Sequence, residues 1–172
     1  MTVASIFEHA EICRRSRGLS TLFRVIAIAM AASLVAGRLL WPLLGERAVD
    51  GESWRGVVQY AGVNLIEALP AALLLLGVLA AQRVFARMST GAIFTADNAA
   101  DIGSMGDNVL WAAIATVLIV PNMSAWVRGE GGFHFDGHDW AFLLGVLGAA
   151  IALMGRVLGL ANRIKAENEQ IV

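Results

Sequence analysis

The sequence predicts an all-α fold: a polytopic membrane protein with a four-transmembrane-helix bundle and short juxtamembrane helices on the cytoplasmic side. Hydrophobic residues make up 58% of the 172 residues, whereas soluble domains contain about 45–50%. Charged residues make up 16%, against about 25% in soluble domains. The apolar residues collect in four runs of about 20 residues, the length of a helix that crosses about 30 Å of hydrocarbon.

The four runs define the transmembrane domain, which we place at residues 19–163. Its spans are expected at about residues 19–41, 62–85, 105–126 and 140–160. Before it, residues 1–18 are polar with one apolar helical face. This N-terminal cytoplasmic or interfacial segment fits either a helix on the membrane surface or a poorly ordered terminus. After it, residues 161–172 form a cytoplasmic helical tail that includes Glu167 and Asn168.

Prolines mark three places where the predicted spans bend or end. Pro42 follows Trp41 and closes the first span, because proline does not continue a helix and tryptophan prefers the headgroup layer. Pro70 lies inside the second span and predicts a kink there. Pro121 predicts that the third span either kinks or ends near this point.

The distribution of Lys and Arg predicts the orientation of the chain. Eight basic residues flank the spans on one side and three flank them on the other. The larger group consists of Arg14, Arg15, Arg17, Arg83, Arg87, Arg156, Arg163 and Lys165, and the smaller group of Arg47, Arg55 and Arg128. The larger group marks the cytoplasmic side, so both termini are expected in the cytoplasm. Four tryptophans, at positions 41, 54, 126 and 140, then fall at the outer ends of the spans.

A seam of small residues follows the whole fourth span. It consists of Ala141, Gly145, Gly148, Ala152, Gly155 and Gly159. Small residues let helix backbones approach closely in lipid, where helices associate by packing. We expect the seam to face the first or second span of the same chain, or alternatively a second copy of the chain.

Two charged residues fall inside predicted spans at a similar depth. Arg38 lies near the outer end of the first span and Glu67 lies in the second span. An unpaired carboxylate at this depth is costly, and spans joined by a short loop are antiparallel neighbours. We therefore predict an intramembrane Arg38–Glu67 pair. It either fixes the helix register or serves as the proton- or cation-binding carboxylate of a small transporter.

Metal binding has one weak candidate, in the predicted outer loop. His134, Asp136 and His138 alternate there, and alternate residues of an extended segment share a face. A solvated loop without a metal is the favoured interpretation. Near the inner face, Arg156 could meet Asp107 or Asp101 at the start of the third span.

Several functional classes are disfavoured by what the sequence lacks. The three histidines are His9, His134 and His138, and none falls within a predicted span, which disfavours a four-helix haem protein and an intramembrane hydrolase. The one cysteine, Cys13, is too few for a thiol oxidase. The net charge of −1 gives no sign of a nucleic-acid partner. We expect no catalytic residue, no cofactor and no enzymatic activity.

Two short phrases carry a resemblance to a known family. One is Gly91-Ala92-Ile93-Phe94-Thr95-Ala96-Asp97-Asn98, in which Thr95 is a candidate helix N-cap. The other is the tail from Ala161 to Val172, which contains Glu167 and Asn168. With four spans, the chain resembles the bacterial membrane family catalogued as domain of unknown function 2975. The resemblance implies a cytoplasmic loop carrying Gly91, Phe94, Thr95, Asp97 and Asn98, and it implies no particular activity.

These observations predict a non-enzymatic protein of the bacterial inner membrane. Its expected role is accessory, regulatory or assembly-forming, and its expected partners are the lipid bilayer and a homodimer or larger membrane complex. The alternative is a small ion- or proton-coupled transporter that uses Glu67. At this point the sequence leaves the biological role, the partner and the function of Glu67 open.

Overall fold

The computed structural model describes residues 3–40 and 54–169. This part of the chain is all-α, with five helices and no strand. The helices are α1 (Val3–Leu34), α2 (Trp54–Met88), α3 (Ala96–Ile114), α4 (Val120–Arg128) and α5 (Asp139–Glu169). Two π-helical segments, Val35–Leu40 and Ala115–Ile119, continue α1 and join α3 to α4.

Four helical rods are long and apolar enough to cross a membrane, as the sequence predicts. They comprise Glu11–Arg38, Arg55–Met88, Ala96–Arg128 and Asp139–Asn168. We call them the first to fourth spans. The fold is therefore that of a multi-pass membrane protein built from four helices.

The spans pack in sequence order. The first packs on the second, the second on the third, and the closest association joins α3 to α5. Among the described residues, the first and fourth spans share no extensive contact. Large apolar side chains on these two spans are accordingly exposed, for example Ile28 at 62% and Leu143 at 72%. Such surfaces suit contact with lipid, which is as apolar as the side chains themselves.

The helices extend beyond the predicted spans at the side predicted to be cytoplasmic. Residues 3–18, expected as a surface helix or a poorly ordered terminus, form the first turns of α1. The helix that Thr95 caps is likewise continuous with the rest of the third span. The second span passes through Pro70 as one helix. The predicted end of the first span at Trp41 and Pro42 lies outside the described residues.

The third span does not end at Pro121. A proline at this position cannot donate to the carbonyl of Val117. The backbone N–H of Asp136 donates to that carbonyl instead, over 3.2 Å. The helix then continues to Arg128 and ends at Gly129, whose φ of +77° is the left-handed conformation that commonly closes a helix.

The small-residue seam of α5 faces the third span, so the expectation that it meets the first or second span is wrong. A Cβ built on Gly148 would lie 2.5 Å from the backbone nitrogen of Leu110, and one on Gly155 would lie 2.3 Å from that of Gly103. Ala141 and Ala152 are buried at 0% and 4% exposure. The seam is opposite the third span because that span carries its own small residues in register.

Candidate functional site

A cluster of three charges lies where the first, second and third spans come together near the predicted outer side. Arg38 Nη1 donates to Glu67 Oε2 over 2.5 Å, so the structure brings together the two residues that the sequence analysis paired. Arg128 Nη2 lies 3.9 Å from the other carboxylate oxygen of Glu67. The carboxylate therefore links the first span to the second and faces the end of α4. Sequence reasoning missed Arg128 because it counted this residue only as a loop charge.

Local structure explains how the two arginines reach Glu67. Arg38 lies in the π-helical segment that continues α1, and π-helical turns are frequent at functional sites. Arg128 is the last residue of α4 and is positioned by the left-handed Gly129 cap. Gln59 on α2 also donates to the backbone carbonyl of Val127 over 3.0 Å. This hydrogen bond ties α4 to α2 beside the charge cluster.

Two open cavities meet at Glu67. One has a volume of about 480 Å³ and is lined by polar groups that include Tyr60, Asn64 and Arg128. The other has a volume of about 380 Å³ and is lined by Arg38, Thr116 and Asp136, among others. The side chains of Arg38, Glu67 and Arg128 are 36–48% exposed. The site is thus a polar, accessible charge cluster rather than a sealed ion pair.

A second charge cluster lies at the predicted cytoplasmic ends of the second and third spans. Arg83 donates through Nε and Nη2 to Asp101 Oδ1 over 3.0 and 2.7 Å. Arg87 Nη1 donates to Asp101 Oδ2 over 2.5 Å. The sequence contained a signal for this cluster, because Arg83 and Arg87 are four residues apart and share one helical face. Reasoning from orientation alone used them only as markers of the inner side.

Asn98 organises the loop between the second and third spans. It is 2% exposed, and its amide donates to the carbonyls of Ala92 and Ile93 over 2.7 and 3.0 Å. Its side-chain oxygen accepts from Arg87 over 3.4 Å. It therefore connects the loop to the second charge cluster.

The other residues of the family phrase have distinct local roles. Thr95 is the N-cap of α3, as predicted, and its hydroxyl accepts from the backbone N–H of Asn98 over 3.2 Å. Gly91 has a φ of +89°, which favours glycine. Asp97 lies in the first turn of α3, where the helix dipole favours an anion. Phe94 is 79% exposed and contributes little to the packed interior.

The predicted outer loop is held against the third span by Asn122. Its side-chain oxygen accepts from the backbone N–H of His134 over 3.0 Å, and its amide donates to the carbonyl of the same residue over 2.6 Å. His138 Nδ1 lies 2.6 Å from Asp136 Oδ1. In the described part of the chain, no three side chains of His, Cys, Asp or Glu form a group that could hold a metal ion. His134 therefore does not form a metal site with Asp136 and His138.

Towards the predicted inner end of α5, Arg156 Nη2 lies 3.4 Å from Asp107 Oδ1. Of the two partners considered for Arg156, the structure thus selects Asp107, while Asp101 binds the arginines of the second span. Glu167 and Asn168 lie exposed on the last turns of α5.

Fold and site together define a class: a multi-pass helical membrane protein with charge clusters between its spans. Comparisons of the chain with protein-family models, with curated proteins and with solved structures found no match.

Proposed function

We propose that the protein is a non-enzymatic, accessory or assembly-forming component of a bacterial inner membrane. The observation that carries this proposal is the pairing of charges between the spans. Glu67 and Asp101, the carboxylates that join neighbouring spans most closely, each contact arginines on other helices. Side chains committed to such contacts hold helices together, and they are poorly suited to act as a free nucleophile or base.

The wider arrangement of reactive residue types supports the same proposal. Within the described residues, no three His, Cys, Asp or Glu side chains form a group that could hold a metal ion. The thiol of Cys13 lies on α1, and the histidines of the outer loop lie beyond the ends of the spans. A membrane protein of this kind acts by contact with a partner, which can be a second copy of itself or a larger complex.

Purification in a mild detergent tests the accessory role. The full chain, carrying an affinity tag, is isolated from its native membrane, and co-purifying proteins are identified and quantified by mass spectrometry. We expect a partner in stoichiometric amount, or a homodimer by mass. A monomer that co-purifies with no stoichiometric protein, yet has catalytic or transport activity, contradicts the proposal.

We further propose that both termini lie in the cytoplasm, with Glu67 near the outer face. The bias of eight basic residues to three supports this orientation. Single cysteines introduced as Ala166→Cys and Gly131→Cys, each with Cys13→Ser, test it. In intact cells, an impermeant maleimide should label the variant at position 131, and it should label the variant at position 166 only after permeabilisation. The reverse pattern overturns the orientation.

Membership of the family catalogued as domain of unknown function 2975 is also a proposal. The local roles of Gly91, Thr95 and Asn98 support it, because each of these three residues contributes to the structure of the loop. A profile built from aligned relatives of this chain tests it. Retention of these three residues in register with that family supports membership, and their loss contradicts it.

A second candidate function is ion- or proton-coupled transport through Glu67. It is favoured by one observation: Glu67 lines two open cavities, one shared with Arg128 and the other with Arg38. Purified protein in liposomes that contain a pH-sensitive dye tests this function. Transport predicts a proton flux that Glu67→Gln abolishes and that Glu130→Gln, a change at an exposed loop carboxylate, leaves intact. Equal flux in protein-free liposomes removes this candidate.

A further inference from the structure

An open groove of about 810 Å³ lies between α3 and α5 at their predicted cytoplasmic ends. Small residues, including Gly103, Gly155 and Gly159, form part of its lining. Two arginines of α5, Arg156 and Arg163, also line it, together with Asp107 of α3. The small residues therefore form an apolar floor of the groove, and the two arginines form its basic edge.

The expected depth of the groove in a bilayer is the level where the acyl chains meet the headgroups. The fourth span starts at Asp139 on the predicted outer side. At 1.5 Å per residue, Arg156 is about 25 Å and Arg163 about 36 Å along the helix from that start. A hydrocarbon layer about 30 Å thick ends between them. A guanidinium at either position can thus reach a headgroup phosphate, while the glycines lie beside the upper part of the acyl chains.

The charges of the groove favour an anion. Arg156 Nη2 lies 3.4 Å from Asp107 Oδ1, and the Arg156 side chain is 72% exposed. Most of its N–H groups are therefore available to bind an anion. Arg163 is exposed, and within the described part of the chain it makes no ion pair or hydrogen bond. One positive charge is therefore left over at the rim. The planar guanidinium binds phosphate through paired hydrogen bonds, and basic pockets between transmembrane helices bind anionic headgroups.

We propose that this groove binds one anionic phospholipid. Arg163 and Arg156 hold the phosphate, and an acyl chain lies over the small-residue floor. The apolar part of the groove favours a lipid over a free phosphate, because it continues into the surface of Leu160, which lines the groove and is 59% exposed. The inference is independent of the function proposed for Glu67, since it uses the opposite end of the third and fourth spans.

Native mass spectrometry of the full chain in detergent tests the site. The delipidated protein is titrated with phosphatidylglycerol or with phosphatidylethanolamine. We expect one preferentially bound phosphatidylglycerol, and Arg163→Gln should weaken its binding about tenfold. Arg14→Gln removes the same charge from α1, on the same predicted side but outside the groove, and should leave binding unchanged. Equal affinity of wild-type protein and Arg163→Gln overturns the proposal.

Two further experiments distinguish lipid binding from the binding of other anions, and loss of the site from loss of the fold. Glycerol 3-phosphate provides the headgroup phosphate without acyl chains, and competition by it as effective as that of the lipid overturns the lipid assignment. Gly159→Leu fills the floor without removing charge. A Cβ at Gly159 would lie 3.9 Å from the Cβ of Ala99, an ordinary van der Waals distance, so a β-carbon fits there without moving the backbone. We expect this variant to fold and to lose the bound lipid, and retention of the lipid contradicts the groove as its site.

Discussion

Gly106 of α3 and Ala152 of α5 are in direct backbone contact. A Cβ built on Gly106 would lie 2.1 Å from the backbone nitrogen of Ala152 and 2.6 Å from its Cα. No side chain fits between these two backbones. In lipid, where helices gain little by hiding apolar surface from each other, such close approach supplies much of the attraction between them.

Replacing Gly106 with alanine should therefore weaken the protein. The added methyl group forces α3 and α5 apart, and overpacking of this kind costs about 1–3 kcal/mol. Gly103→Ala is the matched control, because a Cβ at Gly103 meets nothing within 4 Å. Unfolding in mixed micelles of mild detergent and dodecyl sulfate should show the loss for Gly106→Ala alone. Equal stability of the two variants would show that the contact is unimportant.

Asn98→Ala should destabilise the predicted inner ends of the second and third spans. The substitution leaves the carbonyls of Ala92 and Ile93 without their side-chain donor and removes an acceptor from Arg87. Losing a buried hydrogen-bonding group costs about 1–3 kcal/mol. Asn108→Ala is the control, since among the described residues the amide of Asn108 bonds only to Ser104 in its own helix. A loss no greater than that of the control would mean that Asn98 does not organise this loop.

Asn122→Ala should loosen the predicted outer loop without unfolding the spans. The backbone of His134 loses both hydrogen bonds from the Asn122 side chain, and the neighbouring bond from Asp136 to Val117 loses its support. Hydrogen–deuterium exchange at these two amides should speed up by about five- to tenfold. Asn64→Ala provides the comparison, because within the described part of the chain the amide of Asn64 bonds only to the Tyr60 carbonyl in its own helix. Unchanged exchange in Asn122→Ala contradicts this account of the loop.

The sequence allowed the four spans and the Arg38–Glu67 contact to be predicted for a simple reason. Both follow from local patterns, namely the length of an apolar run and the depth of a charge in neighbouring antiparallel helices. Arg128 could not be predicted in the same cluster, because its position beside Glu67 depends on how α4 packs against α2. That packing includes the hydrogen bond from Gln59 to the Val127 carbonyl, which is a contact between residues far apart in the sequence.

The partner of the α5 seam shows the same limit. The spacing of small residues from Ala141 to Gly159 indicates that something packs closely there, but it does not identify the partner. The third span carries Gly103 and Gly106 in matching register, and this match appears only when two helices are placed side by side. The sequence likewise shows that Asp101 is charged. Its pairing with Arg83 and Arg87 follows only from the positions of the helix ends in the structure.

Glu67 stabilises the helix assembly through its contact with Arg38. A double-mutant cycle measures this stabilisation most directly, with Arg38→Gln, Glu67→Gln and the double variant unfolded reversibly in mixed micelles. We predict a coupling free energy of about 1–2 kcal/mol, because the two side chains share a charge-assisted hydrogen bond. Single effects that add to the double effect within about 0.3 kcal/mol would contradict the claim.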